Sequence, residues 1–100
     1  MKFSLLHQKE TARNLLRRAE YHEQMDWNTR QLSYIRSLGG GAFPRFHLYV
    51  TREVSGKEIE LNLHLDQKRP SYEGSHAHAG EYEGDLVEQE AERIRRVLGV

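Results

Sequence analysis

The chain has 100 residues, with 15 basic and 15 acidic side chains, six histidines and no cysteine. This length suffices for one hydrophobic core and not for two, so a single domain over residues 1–100 is predicted. The absence of cysteine excludes disulfides, thiol catalysis and thiolate metal sites, and no apolar run approaches the ~20 residues of a membrane-spanning helix. These features favour a soluble, cytoplasmic protein with no membrane partner.

Two helices, over about 8–24 and 28–38, are predicted near the N-terminus, or one helix with a kink between them. The first segment has apolar residues at helical spacing, namely Ala12, Leu15, Leu16 and Ala19. The second has them every three residues, at Leu32, Ile35 and Leu38, and Gly39 follows as a C-terminal stop. Asp26 and Asn28 are good N-cap residues, which favours a break between the segments.

Residues 45–66 predict a β-hairpin with strands of about 45–54 and 57–66. Apolar and polar residues alternate on both sides of Ser55-Gly56, as is typical of strands with one buried face. A two-residue loop at Ser55-Gly56 puts all apolar residues on the same face, with the pairs Phe46–Leu65, Leu48–Leu63 and Val50–Leu61.

The last third predicts a long loop over 67–84 and a helix over 85–98. Asp85 and Glu88 resemble a capping box, and Gly99 follows as the stop. The predicted fold is α+β: an antiparallel hairpin covered on one face by the N-terminal helices and the C-terminal helix. The predicted core is Leu15, Leu16, Leu32, Ile35, Phe46, Leu48, Val50, Leu61, Leu63, Leu65, Val87, Ala91, Ile94 and Leu98.

The same register defines the opposite, polar face of the hairpin. His47 and His64 fall directly across from each other, and the flanking pairs are Arg45–Asp66 and Tyr49–Asn62. Directly opposed residues have Cβ atoms about 4.5–5.5 Å apart, so two imidazoles are close enough to bind one ion.

The 67–84 loop adds further candidates, namely Tyr72, His76, His78 and Glu81. Because cysteine is absent, a metal site in this chain must use histidine and carboxylate ligands. We therefore expect a divalent metal (zinc, manganese or nickel) or a small ligand to bind His47, His64, His76, His78, Asp66 and Glu81. Arg45, Tyr49, Asn62 and Tyr72 are expected to contact that ligand or to orient the metal-binding residues. If the protein is an enzyme, we expect a metal-dependent hydrolase, in which metal-activated water attacks the substrate.

Two other functions fit the composition. The edges of a two-stranded hairpin favour a protein–protein interaction module or a weak homo-oligomer, in which the histidines are structural. A basic stripe on the first helix, formed by Lys9, Arg13, Arg17 and Arg18, indicates RNA binding as a less favoured alternative. A Ser-His-Asp arrangement of Ser71 or Ser75 with His64 and Asp66 lacks a nucleophile motif.

Overall fold

The computed structural model of the protein describes residues 1–67, 80–81 and 84–100. Within them the fold is α+β, in the order β1 (Lys2–Leu6), α1 (Ala12–Arg18), β2 (His22–Asp26), β3 (Gln31–Ser37), β4 (Arg45–Val54), β5 (Glu58–Asp66), β6 (Gly80–Glu81) and α2 (Asp85–Leu98). Five of the described strands form an antiparallel sheet in the order β1-β5-β4-β3-β2, and β6 pairs with the end of β5. No helix in the described ranges has the length and hydropathy to span a membrane.

The predicted hairpin is confirmed as β4 and β5, and its register from Arg45 to Val50 is the one that the sequence predicts. The predicted two-residue loop is wrong, because residues 55–57 connect the strands and the pairing beyond Val50 is shifted by one residue. Thr51 is the extra residue of a β-bulge that absorbs this shift. The apolar side chains of both strands therefore still share one face.

The bulge also changes which residues at the end of β4 have their side chains on the helix-covered face of the sheet. Glu53 pairs with the buried Ile59 and so lies on the helix-covered face of the sheet. Its carboxylate accepts a hydrogen bond from the backbone N–H of Ala12 at 3.0 Å, while Thr11 Oγ1 accepts from the N–H of Asn14 at 3.2 Å. Two side chains thus satisfy free N–H groups at the start of α1.

The two predicted N-terminal helices are not confirmed. The first is reduced to the seven residues of α1, and the segment predicted as the second helix, 28–38, contains strand β3. Glu20 has a left-handed backbone conformation, with φ of 73°, directly after the C-cap of α1. The chain then continues as β2, so one short helix rather than two connects β1 to β2.

A tight turn connects β2 to β3 where the sequence predicts a helix start. The side chain of Asp26 accepts hydrogen bonds from the N–H groups of Asn28 and Thr29, and Arg30 has a positive φ of 59°. Asp and Asn are favoured both as N-caps and in turns, because their short side chains bond to nearby backbone groups in either setting. The cap-like residues therefore mark a hairpin turn.

The hydrophobic core lies between one face of the sheet and the two helices. Most predicted core residues are buried, but Leu32 is 37% exposed, Val50 is only partly buried and Ile35 lies outside the main cluster. The core also contains residues that the sequence analysis did not include: Phe3, Leu5, Ala12, Ala19, Tyr21, Tyr34 and Ile59.

The C-terminal helix is confirmed with its predicted bounds, and it buries Val87, Ala91, Ile94 and Leu98. Its N-cap is Gly84, which makes no side-chain cap bond, so the predicted capping box at Asp85 is wrong. Gly99 has a left-handed conformation and caps the C-terminus through its N–H, as predicted.

Candidate metal centre

The pairing of β4 with β5 brings the candidate residues together on the face of the sheet that faces away from the helices. We call this the outer face; on β4 and β5 it carries Arg45, His47, Tyr49, Asn62, His64 and Asp66. His47 lies directly opposite His64 and Arg45 directly opposite Asp66, as the sequence predicts. Both histidines are buried, with 8% of His47 and 6% of His64 exposed.

Asp66 is the centre of this group. Its Oδ2 lies 3.2 Å from His47 Nδ1, and its Oδ1 lies 3.0 Å from His64 Nε2. Arg45 Nε donates to the same Oδ2 at 3.2 Å. One carboxylate therefore contacts both imidazoles and a guanidinium.

These contacts determine the charge of Asp66. Partial burial alone would raise the pKa of this carboxyl group, but the hydrogen bonds and charges of His47 and His64 outweigh it. The net effect holds the pKa of Asp66 well below its usual range. Asp66 is thus an ionised carboxylate at neutral pH, which is the form that binds a metal.

The aromatic ring of Tyr49 covers one side of the histidine pair. Its centroid lies 4.6 Å from that of His47 at an interplanar angle of 27°, and 5.7 Å from that of His64 at 25°. The two imidazole centroids are 4.9 Å apart and are tilted by 48°. Contacts on this side restrict the orientation of both imidazoles and exclude part of the solvent.

Ser33 of β3 is a member of the site that the sequence analysis missed. Its Oγ lies 2.8 Å from His47 Nε2 and 3.3 Å from the backbone carbonyl oxygen of Gln24. Ser33 is 5% exposed. Interpreting 28–38 as a helix concealed this contact, because only a strand beside β4 puts Ser33 on the outer face.

Two proton arrangements are consistent with these distances. In the first, Ser33 donates to Gln24 and accepts from His47 Nε2–H, so that Nδ1 carries a second proton or offers its lone pair to a cation. In the second, Ser33 donates to Nε2 and Nδ1–H donates to Asp66, as in the Ser-His-Asp relay of serine hydrolases. The burial of Ser33 keeps substrates from its hydroxyl, which favours an orienting role for Ser33 in both arrangements.

Three side chains hold their donor atoms close enough together to form a candidate metal site. His47, His64 and Asp66 each offer a donor atom, and these atoms all lie within 4.8 Å of one another. With bonds of about 2.1 Å, neighbouring ligands are about 3.0 Å apart on an octahedron and about 3.4 Å apart on a tetrahedron. The two contacts to Asp66, at 3.0 and 3.2 Å, are close to such edges.

The structure does not bring the other predicted ligands into the group around Asp66 within the described residues. Tyr72, His76 and His78 lie outside the described residues, and Glu81 is described only through the backbone pairing of β6 with Leu65. Asn62 lies opposite Tyr49, and its Oδ1 accepts a hydrogen bond from the amino group of Met1 at 3.5 Å. The described ligand group is therefore the set of His47, His64 and Asp66.

The basic stripe of α1 is partly neutralised. Arg13 forms an ion pair with Glu23 of β2, and Arg18 pairs with Glu10 at 2.6 Å. Of the other two basic residues in the predicted stripe, Arg17 lies on α1 and Lys9 precedes it. Paired charges offer less to a phosphate backbone, so RNA binding stays the less favoured alternative.

Comparison of the chain with protein-family models, with curated protein sequences and with solved structures found no match. The chemistry of the site is therefore the only indication of its function.

Proposed function

We propose that the protein binds a divalent transition-metal ion through His47, His64 and Asp66. The observation that carries the proposal is the position of one ionised carboxylate between two imidazoles, with donor contacts of 3.0 and 3.2 Å. Two imidazoles and one carboxylate suit zinc or nickel better than manganese, which prefers oxygen ligands.

The partners of His47 further support the proposal. Histidines that bind a metal usually donate their other ring N–H to an oxygen, which fixes the tautomer and the ring orientation. Ser33 Oγ lies 2.8 Å from His47 Nε2 and is in turn bonded to a backbone carbonyl. In that arrangement the lone pair of Nδ1 points toward Asp66, and a cation between the two removes the repulsion.

Three protein ligands leave coordination positions open for water or substrate. A metal ion lowers the pKa of bound water and so supplies a nucleophile at neutral pH. If the protein is an enzyme, we therefore propose a metal-dependent hydrolytic activity at the outer face.

The test is a titration of the metal-free protein with zinc and nickel at about pH 7.5, followed by calorimetry, and repeated at about pH 5.5. We expect one ion per chain at the higher pH and weaker binding at the lower, because protons compete for the imidazoles. Since loss of even an outer partner weakens metal sites about 10–100-fold, His47→Ala with His64→Ala should weaken binding at least about 100-fold.

The matched control replaces two exposed histidines, with His7→Ala and His22→Ala, and should leave affinity unchanged. A third variant, His76→Ala with His78→Ala, tests the two loop histidines that the sequence predicts as ligands. Equal affinity of the wild type and the His47/His64 variant would overturn the proposed site. The histidines would then form a structural latch around Asp66.

A second candidate function, self-association, is favoured by the position of β2. The edges of the β4–β5 hairpin are paired by β3 and β1, so they are not the free edges that the sequence analysis expected. β2 is instead an edge strand of the sheet with all five residues exposed, and Trp27 in the following turn is 82% exposed. An exposed edge strand is a template for pairing with another strand.

We propose a second copy of the chain as the occupant of this edge. Antiparallel pairing of two β2 strands about Gln24 puts His22 of each copy opposite Asp26 of the other, so no two like charges are opposed at these positions. Gln24→Lys brings two cations together at the centre and should weaken association in sedimentation experiments. The control Gln31→Lys adds the same charge on β3. A monomeric wild type at high micromolar concentration, or equal effects of both variants, would refute the pairing.

A further inference from the structure

A guanidinium lies directly beside the candidate metal centre. Arg45 Nε donates to Asp66 Oδ2 at 3.2 Å, and the guanidinium carbon lies 4.5 Å from the centroid of the Phe43 ring. The side chain is 19% exposed. Arg45 is thus held at one edge by a carboxylate and on one face by an aromatic ring.

The remaining donors of Arg45 are uncommitted within the described part of the chain. An arginine carries five N–H donors, and the hydrogen bond from Arg45 to Asp66 uses only the one on Nε. The two Nη groups therefore keep four N–H donors for a ligand. They belong to a side chain that shares Asp66 with the two histidines.

The site changes from neutral to positively charged when a divalent metal ion binds. The negative charge of Asp66 and the positive charge of Arg45 balance each other, and a divalent ion then adds two positive charges to the group. At a partly buried position such an excess is costly unless an anion accompanies the ion. The charge of a metal-loaded site therefore favours the binding of an anion together with the metal.

From these contacts we propose that Arg45 and the metal ion together bind a small carboxylate ligand. One carboxylate oxygen occupies an open metal position, and the other accepts hydrogen bonds from the Nη groups of Arg45. The planar guanidinium matches the plane of a carboxylate in a way that a point charge does not. The inference rests on the proposed metal site at His47, His64 and Asp66, and it adds the ligand class.

The experiment uses cobalt(II) in place of zinc, because the visible absorption of cobalt reports the ligands around the ion. The metal-free protein is loaded with cobalt and titrated with sodium acetate, with acetamide as the neutral control of similar shape. We expect a saturable change in the cobalt spectrum with acetate and none with acetamide.

Arg45→Gln should retain cobalt binding and bind acetate at least about 10-fold more weakly, as for loss of charge-assisted hydrogen bonds. Arg45→Lys, which keeps the charge and loses the planar fork, should fall between. The matched control is Arg52→Gln, which removes an exposed arginine of the same strand. It should behave like the wild type.

Each failure has its own signature. Cobalt binding without any response to acetate overturns the inference and leaves the metal site intact. An acetate response that is equal in the wild type and Arg45→Gln removes Arg45 from the ligand site and overturns the inference as well. Absence of cobalt binding to the wild type overturns both the metal site and the carboxylate ligand.

Discussion

Two buried or partly buried carboxylates lie on opposite faces of the sheet, and the groups that hold them differ. Glu90 of α2, on the helix-covered face, is 3% exposed and accepts from Tyr21 at 2.6 Å, from Arg93 at 2.7 Å and from Arg36 at 3.3 Å. Asp66, on the outer face, is contacted by two histidines and one arginine.

The difference lies in whether the partner side chains change protonation near neutral pH and can bind a metal. Guanidinium groups stay protonated in proteins and have no acceptor, and the phenol of Tyr21 stays protonated at neutral pH. At that pH the partners of Glu90 have one role, which is to join α2 to β3 and to the chain that follows α1. Imidazoles lose or gain protons and bind metals as neutral ligands. The carboxylate of Glu90, held by arginine and tyrosine, therefore has a structural role. For Asp66, held by two histidines and Arg45, we propose that the histidine contacts are exchanged for a metal ion.

The largest expected loss of stability follows from removing the carboxylate of Glu90. Glu90→Ala removes the buried carboxylate from Tyr21 and from two arginines, whose remaining carboxylate partner in the described residues is the exposed Glu20, at 3.7 and 3.9 Å. Breaking a buried ion pair in this way costs about 3–5 kcal/mol. We expect this loss in the free energy of urea-induced unfolding. Glu88→Ala, at an exposed position of the same helix, should cost less than about 0.5 kcal/mol. A loss below about 1 kcal/mol for Glu90→Ala would contradict the structural role of Glu90.

A smaller loss of stability is expected on the outer face. Asp66→Asn removes the charged acceptor of three contacts but keeps the shape, and charge-assisted hydrogen bonds contribute about 1.5–3 kcal/mol. In the metal-free protein we expect destabilisation in this range by urea unfolding, and metal binding should be lost. An unchanged metal affinity would remove Asp66 from the ligand set. The control Glu92→Gln neutralises an exposed carboxylate and should change neither quantity.

The two groups should also lose stability at opposite ends of the pH scale. The pKa of Asp66 is lower in the folded chain than its ordinary value of 3.8, so its stabilising effect is complete at neutral pH and is lost as the pH falls below that value. Burial, with the charge and hydrogen bond of Glu90, raises the pKa of Tyr21 above its ordinary value of 10.0. That contribution is complete below pH 10 and is lost as the pH rises above it.

Unfolding free energies measured across the pH range test this contrast. Asp66→Asn should flatten the acid limb of the stability profile and leave the alkaline limb unchanged. Tyr21→Phe should do the reverse, because it removes the hydroxyl that resists ionisation. If either variant altered both limbs equally, the two carboxylate groups would not be independent.

The part of the site that could be predicted depends on one kind of signal. In residues 45–66 the period-two pattern and the turn lie in the same segment, and together they specify a register, because a slip by one residue would expose the whole apolar set. The register then puts His47 opposite His64 and Arg45 opposite Asp66 without any other information. The bulge at Thr51 was not predictable, because it compensates for a loop that is one residue longer.

The segment 31–37 lacked such a signal. Leu32 and Ile35 are three residues apart, which matches a helical face, but in the strand they lie on opposite faces of the sheet. Both faces of β3 are buried near its middle, since Ser33, Tyr34 and Ile35 are consecutive buried residues. A strand buried on both faces has no alternation, and its tertiary neighbours decide its structure. The contact of Ser33 with His47 was therefore not apparent from the sequence.

Ser33 provides the last and smallest prediction, because it separates an orienting partner from a packing residue. Ser33→Ala keeps the volume of the site nearly unchanged and removes the acceptor for His47 Nε2–H, so we expect a loss of about 1 kcal/mol in stability. Zinc affinity should fall about 10-fold, since a metal-binding imidazole without its partner is less well oriented. Ser33→Thr keeps the hydroxyl and should restore most of the affinity, and the exposed Ser37→Ala should have no effect. If the zinc affinities of Ser33→Ala and Ser33→Thr followed their stabilities and not the presence of the hydroxyl, Ser33 would only pack against the histidine.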